Sequence, residues 1–521
     1  MAGQLVEGLP ASRRLLARPA LPILGMAILA AALLVLPGRT IATRGLEDLF
    51  HILDGANRVL WGQVPGRDFI TSLGPLVHYL PAFGQWIGGW GAAMPVAMGL
   101  VLLVFAPIMA HVLASRLHPV LALLMAAFLV LVLAAPMNLG EPMTALSFAQ
   151  YHNRIGWVAL ALLLVMVLPP LRVGTGWRDV AAAAILAFAM VYVRLTYGLA
   201  PLAFLVFMLA DRRQRGWAAL ALVGLAVSAL AMELIWGGTA GYLQATGMAF
   251  GAGGVLRGSW GDIIDHILVS FTDYVLLGLI AGISLWRRWS VGYALFFALC
   301  AIGGFWIINH NEQRWGILAL HAAAVVAAER ILREGDGPKP PVWGNAAGAT
   351  LFFFVMVLPT ILHNGIALGL HASAAVTGAG RPMPIAGMED LRLADLWTGG
   401  DFGGGNRYLA TVEDGISALA DLQPAPESIA VLGAADPFSA ALDLRPAPGM
   451  MPIMRWLNTM GPAHHPQAAR IFAGADVVLV RKTGTNPVHD IYLPFLDREF
   501  TRLPETEFWQ IYRRPVPAAL P

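Results

Sequence analysis

The sequence predicts a polytopic α-helical membrane protein of about eleven transmembrane helices, with a small external α/β domain at its C-terminus. Three observations carry that reading. Hydrophobic residues make up 57% of the 521 and charged residues 13%, against roughly 25% charged in a soluble domain. Arginines cluster in alternate loops between apolar runs. Polar and turn-forming residues return in strength only after about residue 380.

The apolar runs are continuous rather than alternating, which argues against a transmembrane barrel. A backbone in lipid must satisfy its own hydrogen bonds, which leaves helices. At about 20 residues per span, helices are expected at 20–37, 93–114, 118–136, 155–171, 178–194, 198–211, 217–236, 264–285, 289–308, 315–332 and 345–365. The first run follows Arg13, Arg14 and Arg18 as a signal peptide would, but Pro37, Gly38 and Arg39 make a poor cleavage site. It is expected to stay as the first helix.

Arg116, Arg172, Arg178, Arg212, Arg213, Arg215, Arg287, Arg288, Arg330 and Arg333 share a side with those N-terminal arginines. The positive-inside rule makes that side cytoplasmic. Loops 38–92, 137–154, 237–263 and 309–314, and everything after about 366, then face outward. The apolar stretch Pro75–Trp90 is broken by Pro81, Gly84, Gly88 and Gly89 and is expected to be an interfacial or partly embedded segment of loop 1. Counting it as a span would destroy the arginine asymmetry.

The expected organisation is a membrane domain over 1–365, its first external loop at 38–92, a Gly/Ala-rich linker at 366–381 and a periplasmic-side α/β domain over 382–521. Such a chain sits in a cytoplasmic (inner) membrane among its lipids, with its N-terminus inside. Ile429–Leu432 and Val477–Val480 are continuous apolar runs of the kind buried parallel strands show, and Glu507–Tyr512 reads as another strand. "GGDFGGGN" at 399–406 lacks a clear preceding strand and is expected to be a flexible turn before a helix at 408–422. The segment around Asp436 and the ending "EFWQIYRRP" read as structural.

A net charge of +2, with no basic cluster interleaved with aromatics, argues against nucleic acid as a partner. The single cysteine, Cys300, lies in an apolar run, which excludes an intramolecular disulfide and a cysteine-based metal cluster.

Chemistry concentrates in loop 1. From Glu47 to Leu60 the pattern reads as a short amphipathic helix, with Leu49, Ile52, Leu53, Ala56 and Leu60 on one face and Glu47, Asp48, His51, Asp54 and Arg58 near the other. It would lie at the membrane surface with its charges in water. There an acidic group is either simply solvated or acts as a general base towards a hydroxyl. The segment "VLWGQVPGRDFITSLGPLVHYLPA" follows directly.

From Glu47 to Pro81 this loop resembles the first external loop of the GT-C glycosyltransferases, polytopic enzymes that use polyprenyl-phosphate sugars. The resemblance is nearest to the bacterial mannosyltransferase and aminoarabinose-transferase type. It rests on an acidic pair soon after the first span, a Gly-x-x-Pro-Tyr-x-Asp-Phe-like segment, and Gly-Pro-Leu. Two residues depart from the pattern: the pair is Glu47-Asp48 rather than Asp-Glu, and Gly66 stands where an aromatic is usual. The resemblance implies that Asp48, with Glu47 and Asp68 behind it, deprotonates or orients the acceptor hydroxyl, with inversion at the anomeric carbon. It implies a polyprenyl-phosphate sugar as donor and an envelope glycan, lipid or protein as acceptor.

Charge building on the departing phosphate calls for cations, and the arginine fork suits phosphate oxygens. The external-side candidates are Arg154 in "YHNR", Arg194 in "VRLTYG" and Arg314 in "NHNEQRW". The bland alternative for each is a snorkel to headgroups or a pair with a loop carboxylate. His51, Arg67, His152, His310 and Glu312 are read as substrate-binding groups around them. No ligand spacing establishes a metal, although the shared face of the histidines and carboxylates leaves room for a divalent ion. Other classes compatible with this architecture are a transporter or flippase of lipid-linked sugars, and an envelope polysaccharide polymerase or ligase. The first would call for mid-span charges and repeat symmetry, and the second for a large loop between later helices.

Overall fold

The computed structural model describes residues 18–171, 176–253, 260–309, 317–334, 345–433, 435–482 and 486–515. The chain is mostly helical, at 66%. It opens with α1 (Ala20–Val35), a short strand β1 (Thr40–Ala42) and α2 (Leu46–Leu60). Among the described residues there follow α3 (Leu76–Arg116), α4 (Pro119–Ala134), α5 (Tyr151–Val165), α6 (Gly176–Val193), α7 (Leu195–Met208), α8 (Arg215–Trp236), α9 (Thr239–Gly253), α10 (Trp260–Val269), α11 (Phe271–Arg287), α12 (Val291–Asn309) and α13 (Leu318–Glu334). A long helix, α14 (Ala346–Thr377), leads to the tail.

Each segment expected as a span contains helix where described, although 166–171 lie beyond the end of α5, 209–211 beyond that of α7, and Ser270 divides 264–285 between α10 and α11. By length and composition, five of the described helices can cross a membrane: α3, α6, α8, α12 up to Ile308, and α14. Helices α1, α4 and α7 are apolar but shorter. The bundle is layered from its centre. Every residue of α5 is buried, as is α13 from Leu318 to Ile331, and the two pack on each other. At the rim, α8 bares Val223, Val227, Leu230, Leu234 and Ile235, a stripe that a water-soluble fold would not leave open.

Two local expectations change. Pro75–Trp90 is not a separate loop segment but the first part of α3, which breaks at Gly89 (φ 77°, ψ −179°) before the expected span. Trp86 and Ile87 are exposed just before the break. The linker expected at 366–381 instead continues α14 to Thr377, where Gly378 closes the helix in the left-handed conformation. Alanine and leucine carry that helix through Gly365 and Gly369.

The tail contains β2 (Arg381–Pro382), β3 (Leu391–Leu393), α15 (Gly399–Ala420), β4 (Ser428–Leu432), α16 (Phe438–Ala441), β5 (Arg445–Pro446), α17 (Ala468–Ile471), β6 (Val477–Arg481), α18 (Pro487–Glu499), β7 (Thr501–Arg502) and β8 (Trp509–Arg513). Strands β5-β4-β6-β8-β7 form one sheet. Its central pair is the expected one: β4 and β6 run parallel, with Ile429 opposite Val477 and Leu432 opposite Val480, all buried. The glycine-rich 399–406 segment is not a flexible turn but the first two turns of α15. Gly405 permits this, because a Cβ there would stand 2.9 Å from Leu393 of β3 and 3.4 Å from Leu46 of α2. Asp436 has the structural role expected of it, accepting hydrogen bonds from the Phe438 and Ser439 amides at 3.0 Å and capping α16.

The tail is tied directly to loop 1. Strand β3 pairs in parallel with β1, Ile41 opposite Arg392, in a second sheet of order β1-β3-β2. The amide of Ile70 donates to the Met450 carbonyl at 2.9 Å, and that of Gly449 to the Asp68 carbonyl at 2.6 Å.

Candidate functional site

Helix α2 begins at Gly45 in the left-handed conformation, so Glu47 and Asp48 fall in its first turn, where the helix dipole favours negative charge. Its polar face was expected to lie in water. Instead His51, Asp54, Asn57 and Arg58 are buried, because the tail covers them. Arg58 donates to the Ala447 carbonyl at 2.7 Å, and Gln63 to the Pro446 carbonyl at 2.6 Å. Burial is the larger influence on Asp54; it outweighs the Arg58 guanidinium 2.8 Å away and, with Asp436 adding to it, pushes the carboxyl up to about 7.

Asp48 opens into a cleft that encloses about 600 Å3 including its mouth. Around it stand His51 from α2, His152 from the start of α5, Arg194 between α6 and α7, and Arg455 and Asn458 from the tail. His51 brings Nδ1 within 3.7 Å of Asp48 Oδ1. Burial lowers the affinity of that imidazole for a proton, more than Glu47 and Asp54 raise it, so His51 is neutral at pH 7. Asp48 forms an ion pair with Arg455. Glu47 lies 3.3 Å from Arg481 of β6, whose guanidinium also sits over the Tyr408 ring at 5.8 Å. Both members of the acidic pair are thus met by arginines of the tail.

Arg194 is presented by a helical hairpin with no loop: it is extended (φ −165°, ψ 131°) between α6 and α7. Gly74 of the Gly-Pro-Leu segment abuts this junction. Its amide donates to the Val193 carbonyl at 2.9 Å, and a Cβ on it would stand 2.0 Å from the Tyr192 oxygen. Gly66 likewise has a steric cause, with φ +81° and its Cβ position 2.7 Å from the Gly238 carbonyl. An aromatic side chain has no room there.

The remaining expected residues divide. Asp68 does not line the cleft; it accepts from the Val64 amide at 2.8 Å and from Arg67 at 3.0 Å and closes its own turn. The Arg67 hydrogen bonds hold its carboxyl below the usual range, and Arg67 is spent on that pair. Arg154 is also absent from the cleft wall. It is 1% exposed, faces Phe148 at 5.9 Å, and none of its three guanidinium nitrogens has a hydrogen-bond partner among the described residues. His310, Glu312 and Arg314 lie outside the described residues. Among the described residues no group of three or more His, Cys, Asp or Glu side chains stands close enough to hold a metal ion.

Sequence reasoning missed Arg455 and Arg481. The signal for Arg455 was weak but present: "MMPIMRWLNTM" at 450–460 is a methionine-rich apolar segment holding one arginine, inside an otherwise polar tail. A second cavity of about 610 Å3 lies between α5, α7, α12 and α13; leucines, Cys300 and Trp306 line it, and Thr196 lies two residues along the chain from Arg194. No protein-family model, no curated protein and no solved structure matches this chain.

Proposed function

We propose that this chain is a GT-C-like membrane glycosyltransferase that moves a sugar from a polyprenyl-phosphate carrier to a hydroxyl of an envelope glycan, lipid or protein. In this reading about eleven helices span an inner membrane, the N-terminus is cytoplasmic, and loop 1 and the α/β tail face the periplasm. The observation that carries the reading is the shared cleft, which is lined by one partly exposed carboxylate, Asp48, and by a cation, Arg194, at the head of a helical hairpin. The neighbouring apolar cavity suits an isoprenoid chain.

Asp48 takes the proton of the acceptor hydroxyl as its oxygen bonds to the anomeric carbon. The carbon–phosphate-oxygen bond breaks on the opposite side and its electron pair leaves with the phosphate, so the anomeric centre inverts. Arg194 stabilises the charge that builds on that phosphate. Neutral His51 and His152 supply polar contacts to the sugar or acceptor. Glu47, held by Arg481, is the second carboxylate in line.

Purified protein in lipid nanodiscs, given radiolabelled polyprenyl-phosphate sugars and a panel of hydroxyl acceptors, tests the reading. The expected result is label on an acceptor and free polyprenyl phosphate. Donor left intact in nanodiscs but carried across the bilayer of proteoliposomes would replace this function with transport.

A further inference from the structure

The turn between α11 and α12 reads Trp286-Arg287-Arg288-Trp289-Ser290, two arginines between two tryptophans. Trp286 is 73% exposed and Trp289 71%. Indoles bared to that extent suit a membrane–water boundary, where one edge is apolar and the other wet. Two exposed apolar stripes lead away from the turn along the outer surface: Val275 and Leu279 on α11, and Val291, Leu295 and Ile302 at helical spacing on α12. In the proposed topology the turn stands at the cytoplasmic end of these helices.

Behind the turn lies Arg330 of α13, only 6% exposed. Its guanidinium stacks on the Tyr293 ring at 3.9 Å, its Nη2 donates to the Arg288 carbonyl at 2.8 Å, and its Nη1 has no hydrogen-bond partner among the described residues. Every one of these partners is neutral. The carboxylates of the neighbourhood are engaged elsewhere: Glu329 pairs with Arg333 at 2.9 Å, Glu334 lies 3.9 Å from Arg287, and Asp211 accepts from the Arg213 amide at 2.9 Å. Snorkelling does not account for Arg330, because a snorkelling arginine carries its head into water. A buried cation without an anion is costly, so the arrangement calls for a negative group from outside the chain. The start of α12 adds to that call. Its first amides, those of Val291 and Gly292, have no acceptor within the helix, and the helix end carries partial positive charge.

We propose that this turn binds the phosphate of an anionic glycerophospholipid. The exposed Arg288 side chain and the first amides of α12 receive the phosphate oxygens, Arg330 supplies a fixed positive charge behind them, and the acyl chains lie along the two apolar stripes. The stripes decide for a lipid over a soluble phosphate, since a free anion would leave them uncovered. A zwitterionic headgroup brings its own cation to the same place and loses the advantage. The site is separate from the cleft at Asp48 and does not depend on the glycosyltransferase reading.

Native mass spectrometry of the full-length protein in a neutral detergent tests it, with phosphatidylglycerol and phosphatidylcholine of the same acyl chains as probes and inorganic phosphate as competitor. Wild type should bind phosphatidylglycerol about tenfold more tightly than phosphatidylcholine. Arg288→Gln and Arg330→Gln should each lose most of that preference, while Arg330→Lys keeps part of it. Arg178→Gln, which removes an equal charge from an exposed position at the start of α6, should keep all of it. Arg288 is on the surface, so its variant reads the site even where Arg330→Gln fails to fold. A preference unchanged in Arg288→Gln overturns the site, and one that falls equally in Arg178→Gln replaces it with diffuse surface charge. Inorganic phosphate that displaces phosphatidylglycerol at a comparable concentration makes the ligand a soluble phosphate and overturns the lipid.

Discussion

Asp54 shows how position overrides residue type. In sequence it was one of several charges on a face expected to be wet, but the tail seals it beside Arg58 and Asp436, and burial pushes its carboxyl up to about 7. The unfolded value is about 3.9. Between those two values the folded protein keeps a proton that the unfolded chain releases, so stability falls as pH rises through that window. Wild type should therefore melt a few degrees lower at pH 8 than at pH 5, and Asp54→Asn should flatten that dependence. Thermal unfolding followed by tryptophan fluorescence checks it; a slope unchanged in Asp54→Asn would remove Asp54 as its source. Asp48 differs from Asp54 by about one and two-thirds helical turns, and that rotation is what places one carboxylate in the cleft and the other in the seal.

At the scale of elements, the Gly-Pro-Leu segment positions chemistry it does not perform. Gly74 lets the start of α3 touch the end of α6, and the next residues of that junction deliver Arg194. Gly74→Ala forces the Tyr192 carbonyl away. It should cost about 1–3 kcal/mol of stability and weaken donor binding, whereas Gly282→Ala on α11, with open space around its Cβ position, should leave both near wild type. Melting temperature and farnesyl phosphate affinity of the two variants decide the matter, and equal behaviour would detach the glycine from Arg194. Some elements were legible in sequence because their signals are local: α2 came from its amphipathic periodicity, and the β4 and β6 core from continuous apolar runs. Residues 399–406 were not legible, because their helix is stabilised by packing Gly405 against β3 and α2 rather than by propensity. The same limit hid the tail's share of the site. Arg455 meets Asp48 only through a fold that pairs β3 with β1 and Gly449 with Asp68, contacts between residues hundreds of positions apart.

For the molecule as a whole, the tail is both the roof of loop 1 and one wall of the cleft, so the proposed topology must carry the two on one side of the membrane. With Cys300 replaced by alanine, a cysteine at exposed Trp397 should react with an impermeant maleimide in right-side-out vesicles, and one at Arg213 only after permeabilisation. The reverse pattern would invert the topology. Whether Asp48 is the base of a sugar transfer is decided by the single-turnover transfer rate of Asp48→Asn beside those of Glu47→Gln and Asp68→Asn. Asp48→Asn should lose about 10²–10⁴-fold, Glu47→Gln less, and Asp68→Asn should lose stability while the folded fraction keeps its transfer rate. Transfer that survives in Asp48→Asn at the wild-type rate would contradict that role.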